Sequence, residues 1–469
     1  MNPPWTEEAD VVVIGGGLAG HCAALELAAA GAEVLLLEKE ERIGGSTVIS
    51  GGSFAFAGTE LQRRKGIEDS SEILFEDLRR VGGFRNDEAI VRAYVDNQLD
   101  TYHWLDSHGV VYENIFLAAG HSVPRGHSRN PREVIEILSL RVAKTGQVRT
   151  CVCAPVRRLI RSGLEGPVEG VLADVQGEPR AIKARRGVIL ASGGFSRNEQ
   201  LLKLFAPSQE AAMRVGGAGN TGDGLVMAWH LGAGMRDMGH IKGTFGGHPS
   251  ASADQHAVLL PIYVGAIAVN SNAERFVDES ISYKLIGDAV LKQPDAIGFQ
   301  IFDRKIYEKG TPGIPTMAFQ MKHQMGQVVN ASTIAELAKL LGVDPDRLEA
   351  TVARYNADIE EGKDRAFGRT GLSTGYGKLT KIDTAPYYGY ASKSVVLATY
   401  CGVAVDREMR VRDVFDAPIP NLYAAGEVMG GFHGSAYMTG SALGKAAIFG
   451  RLAARSALGA LVQPGAGGA

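Results

Sequence analysis

The chain has few cysteines. Only four occur among its 469 residues, at positions 22, 151, 153 and 401. Cys151 and Cys153 form a C-x-C pair, which is neither a zinc spacing nor a covalent haem site. Such a low count is typical of a reducing compartment, so we expect a cytoplasmic protein without a metal site. Without a haem motif, any electron donor or acceptor is expected to be external.

The sequence also lacks an excess of charge of one sign, and it lacks long apolar runs. Lys and Arg number 49 against 52 Asp and Glu, a net charge of -3. No basic field is therefore available for nucleic acid, and we expect no nucleic-acid partner. No apolar run reaches the roughly 18 residues of a membrane helix, so we expect no integral membrane segment.

Glycine, in contrast, is abundant, with 60 residues against a usual share of roughly 7%. Because only 18 prolines occur and no Gly-x-y period exists, collagen is excluded. Glycine permits positive φ and lets backbone pass close to another group. The surplus therefore indicates a large ligand that bears phosphates.

The first glycine cluster predicts a dinucleotide-binding loop. Gly15, Gly17 and Gly20 fit G-x-G-x-x-G between a β-branched strand and an Ala-rich helix. These glycines permit the tight turn, the approach of pyrophosphate and the packing of helix on strand. Glu38 ends the next strand, where a carboxylate accepts from a ribose 2′-OH, which disfavours NADP and leaves FAD or NAD.

A second glycine segment bears on that choice. Residues 42–47 follow the second strand, and their glycines and hydroxyls suit a second pass over the same ligand. An NAD-reduced flavoenzyme would often carry another G-x-G-x-x-G after a strand, and the sequence has none. Nicotinamide binding is therefore not supported.

Hydrophobic periodicity predicts an α/β chain in which both ends contribute to one domain. We predict strands at residues 11–14, 33–38, 148–153, 187–191 and 421–425, and helices at residues 18–30, 72–80, 87–108, 131–145, 334–341, 344–362 and 441–458.

Together these features resemble the flavoprotein family of soluble fumarate reductase, succinate dehydrogenase and the 3-ketosteroid dehydrogenases. The matching segments are residues 15–20, 38, 44–46, 191–195, 220–224, 354–356, 362–364 and 421–427. The resemblance implies a Rossmann-like FAD-binding domain, split over residues 1–240 and 379–469. It also implies an inserted α+β capping domain, residues 241–378, that closes over the substrate.

The resemblance further implies which residues contact FAD. They are Gly15, Gly17, Leu18, Ala19, Gly20, Glu38, Lys39, Gly44, Gly45, Ser46, Gly51, Gly52, Val156, Ala191, Ser192, Gly193, Asn220, Asp223, Gly426, Glu427, Ser441 and Leu443. Ser46 and Thr47 stand where covalent members of the family carry a histidine, so we expect noncovalent FAD.

Two tyrosines stand where the fumarate reductases carry substrate-binding arginines. Tyr283 follows Glu279 in the first segment, and Tyr437 follows His433 in the second. Arginine binds carboxylates in bidentate fashion and keeps its charge, whereas a phenol is neutral. A dicarboxylate substrate would lose both of the arginines that bind its carboxylates. The carbonyl oxygen of a ketone, in contrast, could accept hydrogen bonds from two phenols. The ketosteroid dehydrogenases resemble the chain here, with Thr439 at the hydroxyl position of their Tyr-x-Ser-Gly loop.

A ketone α,β-dehydrogenase mechanism follows as a hypothesis. Tyr437 polarises the carbonyl, with help from backbone N–H groups near Gly440. Tyr283 removes the α proton, as phenolate or through a hydroxyl relay, and the β hydrogen leaves as hydride to flavin N5; the two tyrosines could exchange roles. A phenol base needs a lowered pKa, for which the candidate cations are Lys284, His248 and His433. His248 lies in a Gly-His-Pro-Ser segment that resembles the family's substrate-facing histidine segment.

Several alternatives remain open. Arg125 could hold a substrate carboxylate or lie in solvent, and Tyr400 could line the pocket or pack in the core. The substrate could be a 3-ketosteroid or a smaller cyclohexanone-type ring, which the compact cap favours. The same residues could run the reverse reaction, as an ene-reductase of an activated alkene. A flavin electron-transfer protein with a degenerate site is the alternative from another class.

Overall fold

The computed structural model describes residues 4–256, 258–372 and 377–459. Its strands are β1 Glu7–Ile14, β2 Val34–Leu37, β3 Ser53–Ala55, β4 Asn114–Phe116, β5 Gly126–Ser128, β6 Val148–Cys151, β7 Val156–Arg161, β8 Val168–Val175, β9 Glu178–Leu190, β10 Met213–Arg214, β11 Met235–Arg236, β12 Thr244–Gly247, β13 Ile267–Asn270, β14 Ile297–Asp303, β15 Val328–Ala331, β16 Tyr387–Val396, β17 Gly402–Val403, β18 Arg410–Arg412 and β19 Pro418–Ala424. Its α-helices are α1 Leu18–Ala29, α2 Glu60–Arg64, α3 Ser71–Val81, α4 Glu88–Ser107, α5 Pro131–Thr145, α6 Glu199–Phe205, α7 Asp223–His230, α8 Tyr283–Val290, α9 Arg304–Tyr307, α10 Phe319–Gln324, α11 Ile334–Leu341, α12 Pro345–Glu360 and α13 Ser441–Ala457.

The larger sheet has the order β18-β19-β9-β1-β2-β6. From β19 to β6 neighbouring strands are parallel, and β1 lies between β2 and β9. Val11, Val12 and Val13 of β1 are fully buried, as expected where helices and loops cover both faces of a parallel sheet. β8 adds to β9 in antiparallel fashion and β7 to β8. The β7–β8 hairpin and the length of β9 were not predicted from the sequence.

The two ends of the chain share one core. Helix α13 packs on α1, and a Cβ at Gly450 would lie 2.4 Å from the carbonyl oxygen of Ala19. Arg451 of α13 also donates to Glu26 of α1 at 2.8 Å. One hydrophobic cluster includes residues of β1, α1, β19 and α13. The predicted fold class, a split Rossmann-like domain with an inserted α+β unit, is confirmed.

The smaller sheet has the order β10-β16-β14-β13, and β12 and β15 also pair with β16. A separate hydrophobic cluster beneath it includes α11, α12 and the first residue of α8, Tyr283. Its central strand, β16, and its edge strand, β10, lie outside residues 241–378. The smaller sheet therefore includes strands from both sides of the predicted insertion. The domain boundary at residue 378 stays a prediction. Within the described residues, no helix is long and apolar enough to cross a membrane.

Candidate active site

A cavity of 520 Å³ runs from the carboxyl ends of β1 and β2 to the smaller sheet. The loop between β1 and α1 forms its floor. Gly15 has a φ of +112°, and a Cβ there would lie 2.3 Å from the carbonyl oxygen of Ala191. A Cβ at Gly20 would lie 1.9 Å from the carbonyl oxygen of Gly15, so only glycine lets α1 begin this close to the loop. A Cβ at Gly17, in contrast, would meet no protein atom closer than 3.7 Å, which leaves room there for a ligand.

Glu38 lies at the end of β2 and is buried. Its Oε2 accepts from the backbone N–H of Gly16 at 2.8 Å, and its Oε1 accepts from that of Glu40 at 3.0 Å. These two bonds fix the carboxylate beside the glycine loop. This arrangement suits a ribose hydroxyl, which would donate to a lone pair that remains.

Polar contacts join the loop after β2 to distant segments. Ser46 Oγ accepts from Gly217 N at 3.1 Å and from Asn220 Nδ2 at 3.0 Å. Asn220 Nδ2 also donates to Glu427 Oε2 at 2.9 Å. Thr47 Oγ1 accepts from the N–H of Leu18, in the first turn of α1, at 3.2 Å. Four separate parts of the chain therefore form one polar wall.

Some buried hydroxyl groups of the site form no hydrogen bond to the rest of the described chain. Among the described residues, Ser53 Oγ and Ser192 Oγ are buried without a hydrogen-bond partner, and both residues line the cavity. Buried hydroxyls usually have partners, so these two atoms point to a bound polar group. Together with the N-terminus of α1 and the Glu38 carboxylate, they fit an extended dinucleotide.

Most of the predicted cofactor residues line this cavity. They are Gly15, Gly17, Leu18, Ala19, Glu38, Lys39, Gly45, Ser46, Gly51, Gly52, Val156, Ala191, Ser192, Gly193, Asn220, Asp223, Gly426, Glu427 and Leu443. Gly20, Gly44 and Ser441 lie behind the lining, where Ser441 Oγ donates to the carbonyl of Met438 at 2.6 Å. Lys39 forms an ion pair within the lining, where its Nζ lies 2.7 Å from Asp223 Oδ2.

The predicted catalytic residues Tyr283, Tyr437, Thr439 and His433 meet at the other end of the cavity, beside Tyr400. Tyr283 begins α8, and its phenol oxygen lies 3.2 Å from Thr439 Oγ1. The phenol oxygen of Tyr437 accepts from the N–H of Gly440 at 3.0 Å. Gly440 has a φ of +86°, and a Cβ there would lie 2.9 Å from the backbone nitrogen of Ala55. Glycine therefore allows the start of α13 to lie against β3.

Aromatic contacts hold the tyrosines in place. The ring of Tyr400 stacks on that of Tyr437 with centroids 4.7 Å apart, and His433 lies 5.0 Å from Tyr400. Burial raises the pKa of Tyr283 well above its usual value. Burial also raises the pKa of Tyr437, to about 12, although hydrogen bonds from backbone N–H groups oppose the shift. Both phenols are protonated at neutral pH.

Two predicted residues lie elsewhere. His248 is absent from the described cavity lining; its ring packs 5.3 Å from that of Tyr390, and its Nδ1 lies 2.8 Å from Ser250 Oγ. Arg125 is also absent from that lining and is fully buried between Asp69 and Asp77, each 2.9 Å away. Because two carboxylates surround its guanidinium, Arg125 is placed neither in solvent nor at the cavity.

Sequence reasoning also missed residues of the cavity wall. His256, Tyr263 and Lys445 line it, and their sequence neighbours form no motif that would have identified them. Lys445 lies in the second turn of α13, and its Nζ donates to the carbonyl of Met429 at 2.7 Å. Burial lowers the pKa of Lys445 to about 8.

The geometry of this cavity fits a dinucleotide cofactor, and comparison with known proteins identifies the family. The chain belongs to the family described as FAD binding domain, which matches residues 10–443. The predicted family, the FAD cofactor and the class of enzyme are confirmed. This is an FAD-dependent oxidoreductase of the class that acts on C=C or CH–CH bonds.

Relatives of two kinds resemble it. The probable fumarate reductase Ifc3 of Shewanella frigidimarina is 30% identical over 460 residues, which cover 96% of this chain and 75% of that protein. The open conformation of a flavocytochrome c3 fumarate reductase is 29% identical, with a TM-score of 0.83 over 98% of this chain and 79% of that one. The 3-ketosteroid Δ4-(5α)-dehydrogenase of Rhodococcus jostii RHA1 is 27% identical, with a TM-score of 0.76 over 97% of each chain.

Proposed function

We propose that this enzyme introduces a C=C bond beside the carbonyl of a ketone, and that the ketone is cyclic. One observation carries the proposal. The phenols of Tyr283 and Tyr437 face the same cavity, and no arginine occurs among the described residues that line it. A dicarboxylate would find no bidentate clamp there, whereas a carbonyl oxygen needs only neutral donors.

Tyr437 is proposed to polarise the carbonyl. Its oxygen already accepts from the N–H of Gly440 at 3.0 Å, which leaves its own O–H free to donate to a ligand. With a pKa of about 12, Tyr437 keeps that proton at neutral pH. Donation to the carbonyl oxygen favours the enolate and so acidifies the α C–H bond.

Tyr283 and Thr439 are proposed to move the α proton. Their oxygens lie 3.2 Å apart, so Thr439 Oγ1 can donate a hydrogen bond to the phenolate of Tyr283, which takes the α proton from the substrate and becomes the neutral phenol. This hydrogen bond lowers the pKa of Tyr283 and so opposes the effect of burial, which disfavours the phenolate. The opposite assignment of the two tyrosines remains the alternative for the same reaction.

When bound, FAD supplies the acceptor for the β hydrogen, which leaves as hydride. The chain's own contribution is to orient the ketone and exclude water. Leu260, Val264, Met317 and Leu397 give the cavity apolar walls near the tyrosines. These walls suit the apolar ring of a cyclic ketone, and the compact cap favours a small ring over a steroid. We also propose that FAD is held without a covalent bond, since Ser46 and Thr47 occupy the loop after β2.

An ene-reductase is the second candidate. The similarity to fumarate reductases favours it, and the same groups would act in reverse. Tyr283 and Thr439 would then deliver a proton to the α carbon of an activated alkene. The physiological direction depends on the external electron partner.

Anaerobic mixing of substrates with the purified holoenzyme tests these assignments. Oxidised enzyme is mixed with cyclohexanone-type ketones, with and without a carboxylate, and with 3-ketosteroids. Bleaching of the flavin band supports the dehydrogenase. If only reduced enzyme reacts, with enones or enoates, the ene-reductase replaces it. Turnover of fumarate or succinate would contradict the role given to the two tyrosines.

A further inference from the structure

Lys284 is a buried cation without an ion-pair partner among the described residues. The residue is 1% exposed, and its Nζ donates to the carbonyl oxygen of Lys242 at 3.1 Å. A buried ammonium is costly unless it is paired. Burial accordingly lowers the pKa of Lys284 to about 7, so ammonium and amine coexist near neutral pH.

The ammonium of Lys284 lies close to the rings of three of the four described tyrosines that line the cavity. Lys284 Nζ lies 4.6 Å from the ring centroid of Tyr400, 5.9 Å from that of Tyr437 and 6.0 Å from that of Tyr283. Lys284 itself does not line the large cavity; it lies behind the rings. Its charge therefore lies at nearly equal distances from the ring centroids of both proposed catalytic tyrosines.

The other candidate cations are less suited to this role. Burial lowers the pKa of His433 well below its usual value, and the nearby Lys445 and Lys284 charges add to the effect. His433 is thus neutral at pH 7. His248 lies away from the cavity lining, and burial lowers its pKa as well. The Nζ of Lys445 lies 6.0 Å from the ring centroid of Phe432 and donates to the carbonyl of Met429, whereas that of Lys284 lies by the tyrosine rings.

We infer that Lys284 is a positioning residue that stabilises negative charge on the oxygen held by Tyr283 and Tyr437, without touching the substrate. This inference rests on the proposed ketone chemistry, in which an enolate oxygen forms at that point. Two unit charges about 6 Å apart at an effective dielectric constant of about 20 interact strongly enough to change an ionisation equilibrium roughly tenfold to a hundredfold.

Lys284 also lines a second, small cavity. Its volume of 10 Å³ is close to the space that one water molecule needs. Lys242 and His240 line it together with Lys284, His433 and the two stacked tyrosines. The titratable groups that face Lys284 are Tyr283, Tyr400, Tyr437, His433, Lys242 and His240, with Asp288 and Glu427 as the nearby carboxylates that raise its pKa.

Fluorophenols of graded acidity test the inference, because a phenolate resembles an enolate and does not require turnover. Fluorine NMR of each phenol bound to the oxidised holoenzyme reports its ionised fraction. We expect the wild-type site to ionise bound phenols more than solvent does. Lys284→Met should lower the ratio of ionised to neutral bound phenol at least tenfold at pH 6, whereas Lys284→Arg should retain it.

Lys322→Met is the matched control, since Lys322 is also buried and donates to a backbone carbonyl, that of His256, at 3.2 Å. This control should leave the ratio unchanged. An unchanged ratio in Lys284→Met would overturn the inference about Lys284 and leave the proposed oxyanion site standing. Failure of the wild-type enzyme to favour ionised phenols would overturn the oxyanion site and the inference together. If Lys284→Met does not retain FAD, the wild type and Lys284→Arg still differ, because only the lysine should lose phenolate affinity as pH rises above 7.

Discussion

The phenol oxygen of Tyr283 lies 3.2 Å from the hydroxyl oxygen of Thr439, although 156 positions separate the two residues in sequence. The contact joins the first residue of α8 to the loop before α13. It places a residue of the smaller sheet's core against the FAD-binding domain. The proposed proton transfer depends on this contact.

Replacing Tyr283 by phenylalanine removes the proposed proton acceptor and keeps the ring. We expect kcat for ketone desaturation to fall roughly 10²–10⁴-fold, the usual contribution of general acid–base catalysis. FAD content should remain normal. Tyr355→Phe is the control, because that buried hydroxyl donates to the carbonyl of Thr380 at 3.2 Å, away from the cavity. Equal activity in the two variants would refute the role of Tyr283.

The rate of desaturation should rise with pH. A phenol is neutral when protonated, so burial favours the protonated form and raises the pKa of Tyr283. Below that pKa, each pH unit increases the ionised fraction about tenfold. Single-turnover bleaching of the flavin band, measured from pH 5 to pH 7, where Lys284 keeps its charge, should show this increase. A rate independent of pH over that range would contradict proton removal by a phenol.

Lys284→Met should stabilise the protein at low pH. The folded-state pKa of Lys284, about 7, lies below its ordinary value of 10.5, so the unfolded chain binds the proton more tightly. The resulting cost is fully present below pH 7 and disappears as pH rises through 10.5. We expect the free energy of unfolding to increase by roughly 5 kcal/mol at pH 6, less any loss of packing. Denaturant titrations at pH 6 and pH 10 should differ accordingly.

Glu38→Ala should weaken FAD binding. The substitution removes the carboxylate that the Gly16 and Glu40 N–H groups hold in place. Loss of a charged hydrogen bond to the ribose costs about 1.5–3 kcal/mol, or roughly tenfold to a hundredfold in Kd. Titration of the apoenzyme with FAD measures the effect. Glu41→Ala, at an exposed neighbouring position, should leave Kd unchanged.

Arg125→Met should destabilise the fold without changing substrate binding. It leaves Asp69 and Asp77 buried without their shared cation, which typically costs about 3–5 kcal/mol. Thermal unfolding of the holoenzyme measures that loss. If KM for a carboxylated ketone instead rose relative to that for the uncharged ketone, Arg125 would have a part in substrate recognition.

Local sequence determined the dinucleotide-binding elements. The G-x-G-x-x-G spacing, the β-branched strand before it and Glu38 after it lie within one βαβ unit, so adjacent residues specify their geometry. Helices α5 and α11 begin and end where the periodicity predicted, because capping residues mark their termini. The smaller sheet was not predicted, since β10, β12, β13 and β15 have four residues or fewer and the central strand, β16, lies far from its partners in sequence.

The sequence by itself predicted one flavin-binding domain formed by both ends of the chain. It also identified two tyrosines as candidate catalytic residues. Tertiary structure alone decided which polar residues reach the cavity. Arg125 and His248 look available in sequence, but buried carboxylates enclose the first and the ring of Tyr390 covers the second. The role proposed for Lys284 depends on its position beside three tyrosine rings. Such outcomes depend on contacts between segments distant in sequence, where burial and charge are set by partners that no local pattern reveals.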